Sequence, residues 1–234
     1  MRVAVIMPTL NRAGQLRRNA GDLLMQFQPD GVEVIVVFAV QRGDRHTLAV
    51  ISNFANMWAD SGTSVIVALR EPGTTCVQGF NVGYERVRFA ADWYVLGSDD
   101  QVYGDGWLEA ALTVADSTGA QVIGLNDGHT DIGKYAPHYM MHRDFIEQVM
   151  GGVMVPPVYQ SWWFDREVCE RAAALGLYAA AWRAQVAHMH PDWGTADMDD
   201  TYRGEWHKHD IDREVYERRR AAGYPVDYLE AINA

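Results

Sequence analysis

Cysteine is scarce: Cys76 and Cys169 are the only two in 234 residues. That rules out a disulfide framework and a cysteine-based zinc site, and it fits a reducing, cytoplasmic compartment. Long apolar runs are missing too, since none approaches the roughly 20 residues a membrane span needs. The opening Met1–Met7 segment has a leader-like apolar character. It is short, however, and Pro8-Thr9-Leu10-Asn11 offers no small-residue cleavage site, so a first strand is expected there. Basic residues are outnumbered, giving a net charge of −11, which weighs against a broad, sequence-independent grip on nucleic acid. Neither G-x-G-x-x-G nor G-x-x-x-x-G-K-[ST] follows the first strand, so dinucleotide and P-loop readings lose their main support.

What is present is an alternation of strand-type and helix-type segments. Val3–Met7, Val32–Val40, Val65–Leu69, Trp93–Leu96 and Val122–Leu125 read as strands. Val32–Val40 is apolar almost throughout, as a strand covered on both faces should be. Between them, Leu16, Ala20, Leu23, Leu24 and Phe27 keep helical spacing, as do Leu48, Ile51, Phe54, Ala55 and Trp58. Val77–Val87 and residues 105–118 give two more helices, the last with Asp105 as an expected N-cap. This rhythm predicts an α/β fold with a mostly parallel sheet flanked by helices. It stops near residue 126, and an irregular second half follows. The expected organisation is one domain over 1–234: a nucleotide-type half to 125, an irregular half over 126–195, and a charged tail over 196–234. A helix is predicted over 165–176. Beyond Asp210 a solvated, charged helix is expected, with His207 and His209 on the surface.

The chemistry gathers where strands should leave the sheet, the place ligands occupy in open α/β folds. Asp99 and Asp100 follow the fourth strand, and two adjacent carboxylates suit a hard divalent cation shared with a phosphate. Thr9, Asn11 and Arg12 after the first strand are placed to hold a base, ribose or phosphate, although Asn11 also suits a helix cap. His188 and His190 alternate on an extended segment and face one side. The run Tyr159–Phe164 offers Trp162 and Trp163 either to a bound ligand or to the core.

In order and spacing these segments resemble family 2 glycosyltransferases of the GT-A fold, and in particular short actinobacterial and phage members. The resemblance rests on Pro8-Thr9-Leu10-Asn11-Arg12, Gln78-Gly79-Phe80-Asn81-Val82-Gly83, the acidic turn, Trp163–Ala172 and Ala187–Gly194. It implies transfer, with inversion, of a sugar from a UDP- or GDP-linked donor to a hydroxyl of a glycan, protein or modified DNA. Pro8, Thr9, Asn11, Arg12, Asn81 and Gly83 are then donor-binding, with Ser98 or Asp99 toward the ribose. Asp100 and His188 become ligands of Mn2+ or Mg2+, Asp165 the catalytic base, and Trp162 and Trp163 acceptor contacts. The nucleotide sugar would then sit in the half to 125, residues 126–195 would form the acceptor side, with the Gly- and Met-rich stretch 126–157 as a mobile lid, and Asp199–Gly204 would fold back over the donor site. Two departures stand out. Ser98 replaces the first acid of the family's D-x-D motif, and Phe38-Ala39-Val40 replaces an acidic pair at the end of the second strand. Two other readings stay open: a nucleotidyltransferase, which lacks its Gly-rich loop here, and a non-catalytic protein binding a nucleotide or, through His188, His190, His207 and His209, zinc.

Overall fold

The computed structural model describes residues 1–25, 28–58 and 63–228. The strands are β1 (Arg2–Thr9), β2 (Glu33–Gln41), β3 (Thr63–Arg70), β4 (Trp93–Leu96), β5 (Gln101–Tyr103), β6 (Val122–Asn126), β7 (Tyr139–His142) and β8 (Tyr178–His188). The longer helices are α1 (Ala13–Met25), α2 (Arg45–Met57), α3 (Cys76–Val87), α4 (Trp107–Thr118), α5 (Arg143–Gln148), α6 (Phe164–Ala174), α7 (Asp200–Trp206) and α8 (Lys208–Ala221). Phe27, expected in the first helix, lies outside the described residues.

The strands form one sheet in the order β3-β2-β1-β4-β7-β6-β8-β5. β3, β2, β1 and β4 run parallel, as do β6 and β8, while β7 is antiparallel to β4 and β6. Successive side chains of a strand point to opposite faces. Accordingly Val3, Val5 and Met7 pack with α1, α2 and α4, and Ala4 and Ile6 pack with α3, α5 and α6. Burying each Val-, Leu- or Phe-sized side chain contributes about 1.5–3 kcal/mol, so the two cores hold the three layers together.

Several expectations change. Asp105 does not cap α4: Gly106, in the left-handed region at φ 67°, occupies that position without a side-chain cap. The stretch 126–157 forms no lid, because Tyr139, Met140, Met141, Met150 and Met154 are fully buried in the cores. The charged C-terminal helix is not simply solvated either. Asp212, Tyr216 and Arg219 of α8 are buried, and Arg219 donates to both oxygens of the buried Glu167 at 2.7 Å. No helix among the described residues is long and apolar enough to cross a membrane.

Candidate active site

The C-terminal ends of β1 and β4 open onto a cavity of about 460 Å3. Pro8, Thr9, Arg12, Ser98, Asp99, Asp100, Trp162, Trp163, Asp165 and His188 all line it. The acidic turn at its floor is tightly held. Asp99 accepts from the Thr9 hydroxyl at 2.7 Å and from Arg12 Nη1 at 2.8 Å, and its carbonyl accepts from Asn19 at 2.8 Å. Burial pushes the Asp99 carboxyl up to about 6, against the pull of Arg12. Asp100 moves the other way. Burial opposes its charge, but His188, the Ser98 hydroxyl and Arg12 outweigh that and hold it well below the usual carboxylate range. The Ser98 hydroxyl donates to Asp100 Oδ1. Ser98 and Asp99 are therefore engaged inside the turn, supporting Asp100 and Arg12.

His188 reaches this turn because of strand register. β8 runs beside β6 at its start and, after an irregularity opposite Leu125 and Asn126, pairs with β5, setting Gln101 opposite His188. The Met189 N–H then donates to the Asp100 carbonyl at 2.8 Å. This leaves His188 Nε2 3.6 Å from Asp100 Oδ2. Burial lowers the His188 pKa, yet its hydrogen bond to Asp100 and that residue's charge raise it overall. His190 also lines the cavity, with its ring centroid 5.0 Å from that of His188.

Asp165 sits in the first turn of α6, partly buried, on the cavity wall. It does not cap the helix, since Trp163, at φ 68°, holds that position. Burial pushes the Asp165 carboxyl from 3.8 up to about 6, partly offset by the Arg166 N–H and the Arg166 charge. Trp162 donates its indole N–H to the Glu205 carbonyl at 2.9 Å. Trp163 packs against Tyr216 and His209. His209 is thus a cavity residue rather than a surface one, while His207 is exposed.

Three expected donor residues fall elsewhere. Asn81 is in the middle of α3 and spends its amide on the backbone of Val155, donating at 2.8 Å and accepting at 3.0 Å. Gly83 serves helix–sheet packing: a Cβ there would collide with Ile6 Cγ2. Asn11, at φ 55°, donates its backbone N–H to Asp44, the cap of α2. None of the three lines the cavity.

Other residues complete the cavity. Tyr202 of α7 places its hydroxyl 3.0 Å from Asp100 Oδ2 and its ring under the Arg12 guanidinium at 4.3 Å. The tail therefore does fold over this corner. Arg70, at the end of β3, donates to the carbonyls of Thr9, Thr74 and Thr75. An arginine directly after the apolar run Val65–Leu69 was the available sequence signal for it. His138 accepts from the Gln101 amide at 2.6 Å and meets the His188 ring edge-on. Burial pushes His138 down to about 3, so it is neutral.

Asp100 and His188 offer one carboxylate and one imidazole on a cavity wall. That set suits Mn2+ or Mg2+, which takes its remaining ligands from substrate phosphates and water. Among the described residues no group of three or more His, Cys, Asp or Glu converges on a metal position. A protein-only cage, including the zinc site of four histidines, is thus not formed.

No protein-family model matches the sequence, and no curated protein does. Among solved structures, the chain is similar to the mannosyltransferase PcManGT from Pyrobaculum calidifontis in complex with GDP-Man and Mn2+. The TM-score is 0.64 at 15% identity, over 80% of this chain and 56% of that one. It is also similar to S. aureus TarS 1-349 in complex with UDP, with a TM-score of 0.61 at 15% identity, over 80% and 59% of the two chains. The UDP-GlcNAc complex of the same TarS segment gives 0.59 at 14% identity, over 80% and 57%. The chain spans less than two thirds of the length of each of these. At such identities the likeness is one of fold, and that fold is GT-A-like.

Proposed function

We propose that this chain is a glycosyltransferase that moves a sugar from a UDP- or GDP-linked donor to an acceptor hydroxyl, with inversion. The observation that carries this reading is the cavity's two-sided chemistry. A metal-competent pair, Asp100 and His188, sits beside Arg12 on one wall, and Asp165, with its pKa raised toward neutrality, stands on another. The neighbours of like fold support it: PcManGT carries GDP-Man and Mn2+, and TarS carries UDP or UDP-GlcNAc.

In this reading the donor diphosphate lies against Arg12, whose charge favours the leaving group. Asp100 and His188 hold a divalent cation that, when bound, neutralises negative charge developing on the diphosphate. Pro8 and Thr9 border the nucleoside. Asp165 takes the proton of the acceptor hydroxyl as that oxygen attacks the anomeric carbon, a role for which a carboxyl titrating near the working pH is suited. Trp162 and Trp163 border the acceptor.

The test is thermal unfolding with UDP, GDP, TDP and CMP, each with and without Mn2+, on the wild type and Asp100→Ala. A nucleotide at about 100 times its dissociation constant adds roughly 2.7 kcal/mol, which raises the Tm by several degrees for a domain of this size. A shift with one nucleotide that needs both metal and Asp100 is expected. A shift that ignores Mn2+ and Asp100 would remove the metal assignment. No shift with any nucleotide would remove the transferase reading.

A further inference from the structure

Beyond the donor corner, the cavity wall changes character. Trp193 lines it from the 3-10 turn Pro191–Trp193, directly after the strand that carries His188. Trp193 is 47% exposed although its indole is stacked on the His129 imidazole, with centroids 4.6 Å apart and planes at 8°. The turn is well fixed. The Asp192 N–H donates to His190 Nδ1 at 3.3 Å, the Gly194 N–H donates to the Pro191 carbonyl at 3.0 Å, and the Thr195 hydroxyl accepts the His190 N–H at 2.8 Å. A large aromatic face is thus held at a set angle on the cavity wall and left open to solvent, at a standing cost in exposed apolar area.

The charged groups around it narrow what it receives. Away from the acidic turn, Asp127, Asp165, Asp192 and Glu205 line the cavity. Of the arginines that line it among the described residues, Arg12 pairs with Asp99 and Asp199, Arg70 donates to backbone carbonyls, and Arg166 lies over the Tyr135 ring at 4.3 Å. A phosphate-bearing acceptor needs several cations to pair with it, and on this wall carboxylates outnumber the arginine that has no acidic or carbonyl partner. Carboxylates accept hydrogen bonds from hydroxyl groups, and the weakly positive C–H face of a pyranose packs on an electron-rich indole.

We propose that the acceptor is a hydroxyl of a neutral saccharide whose ring seats on Trp193. This rests on the glycosyltransferase reading. The acceptor O–H attacks the anomeric carbon and a new C–O bond forms. The bond to the β-phosphate oxygen breaks with its electron pair leaving on the nucleoside diphosphate, and the proton passes to Asp165.

The experiment offers purified full chain, with Mn2+ and UDP- and GDP-sugars, three acceptor types: methyl pyranosides and neutral oligosaccharides, duplex DNA, and vesicles containing an anionic phospholipid. Nucleotide release, product mass and the nucleotide thermal shift are read together, on the wild type, Trp193→Ala and Trp193→Phe. Transfer to neutral saccharides is expected, with acceptor KM raised about three- to tenfold by Trp193→Ala and largely restored by Trp193→Phe, as a lost stacking contact requires. Transfer to DNA or lipid alone, or an acceptor KM indifferent to Trp193→Ala, overturns the proposal. A nucleotide shift without transfer to any saccharide overturns it while leaving the donor site standing. Absence of any nucleotide shift overturns both.

Discussion

Arg12 and Asp199 meet across 187 residues of sequence, with Arg12 Nη2 donating to Asp199 Oδ2 at 2.9 Å. Arg12 is otherwise paired inside the acidic turn, so in the proposed reading the Asp199 carboxylate would compete with the donor diphosphate for the guanidinium. Asp199→Asn keeps the α7 cap, where Asp199 now accepts from the Tyr202 N–H, because asparagine caps as well as aspartate. It removes only the charge. Because Asp199 is partly exposed, its pair is worth about 0.2–1 kcal/mol. Asp199→Asn should therefore tighten nucleotide binding by about two- to fivefold in calorimetric titration, and added salt should shrink the gain. Weaker binding by the variant would show that Asp199 orients Arg12 rather than competing for it.

Asp165 carries the pH prediction. As a base it works ionised, and its carboxyl titrates at about 6. The rate should thus fall as pH drops through about 6, giving an acidic limb that Asp165→Asn abolishes along with a roughly 10²–10⁴-fold loss in kcat. Stability runs the other way. A folded-state pKa above the ordinary 3.8 means the folded protein binds the proton more tightly, so this group costs stability as pH rises through that window. Asp165→Asn should raise the Tm at pH 7 while removing activity. A lower Tm would mean that Asp165 is there to hold α6 together.

Gly83 and Asn81 separate packing from binding. Gly83→Ala forces a methyl into Ile6, and overpacking of this kind costs about 1–3 kcal/mol. The Tm should fall by several degrees with nucleotide affinity unchanged. Asn81→Ala should behave in the same way, since it frees the buried backbone N–H and carbonyl of Val155. Nucleotide affinity that falls in step with either substitution would return these residues to the donor site.

How far the sequence could be read follows from where each residue finds its partners. β1 to β4 and their helices were legible because apolar alternation and 3.6-residue spacing separate cleanly there. β8 was not: Ala179-Ala180-Ala181 has little strand propensity of its own, and its extended form comes from pairing with β6, a tertiary effect that overrides local preference. The motif positions at Arg12, Asp100, Asp165 and His188 share the cavity. Asn81 and Gly83, equally motif-like, lie on different sides of α3, one against the Val155 backbone and the other against Ile6, and neither reaches the cavity. Trp193 and Tyr202 reach the cavity through a turn and a tail helix whose placement no local spacing encodes.

Asp212 is the clearest case of a role hidden from local sequence, and it supports the last prediction. It is fully buried on α8, and its carboxylate accepts the backbone N–H groups of Gln160, Ser161 and Trp162 at 2.8–3.1 Å. These N–H groups immediately precede α6, so the carboxylate fixes the segment that delivers Trp162, Trp163 and Asp165 to the cavity. An asparagine offers a single acceptor oxygen and turns an NH2 group toward the remaining donors. Each buried donor left unpaired costs about 1–3 kcal/mol. Asp212→Asn should therefore lower the Tm by several degrees and expose residues 195–215 to limited proteolysis. If the fold survives, kcat should fall while nucleotide affinity stays close to the wild-type value, because Arg12, Asp100 and His188 are held by β1, the acidic turn and β8 instead. A loss of nucleotide binding as large as the loss of kcat would mean that the α8 clasp also holds the donor corner, acting through Tyr202.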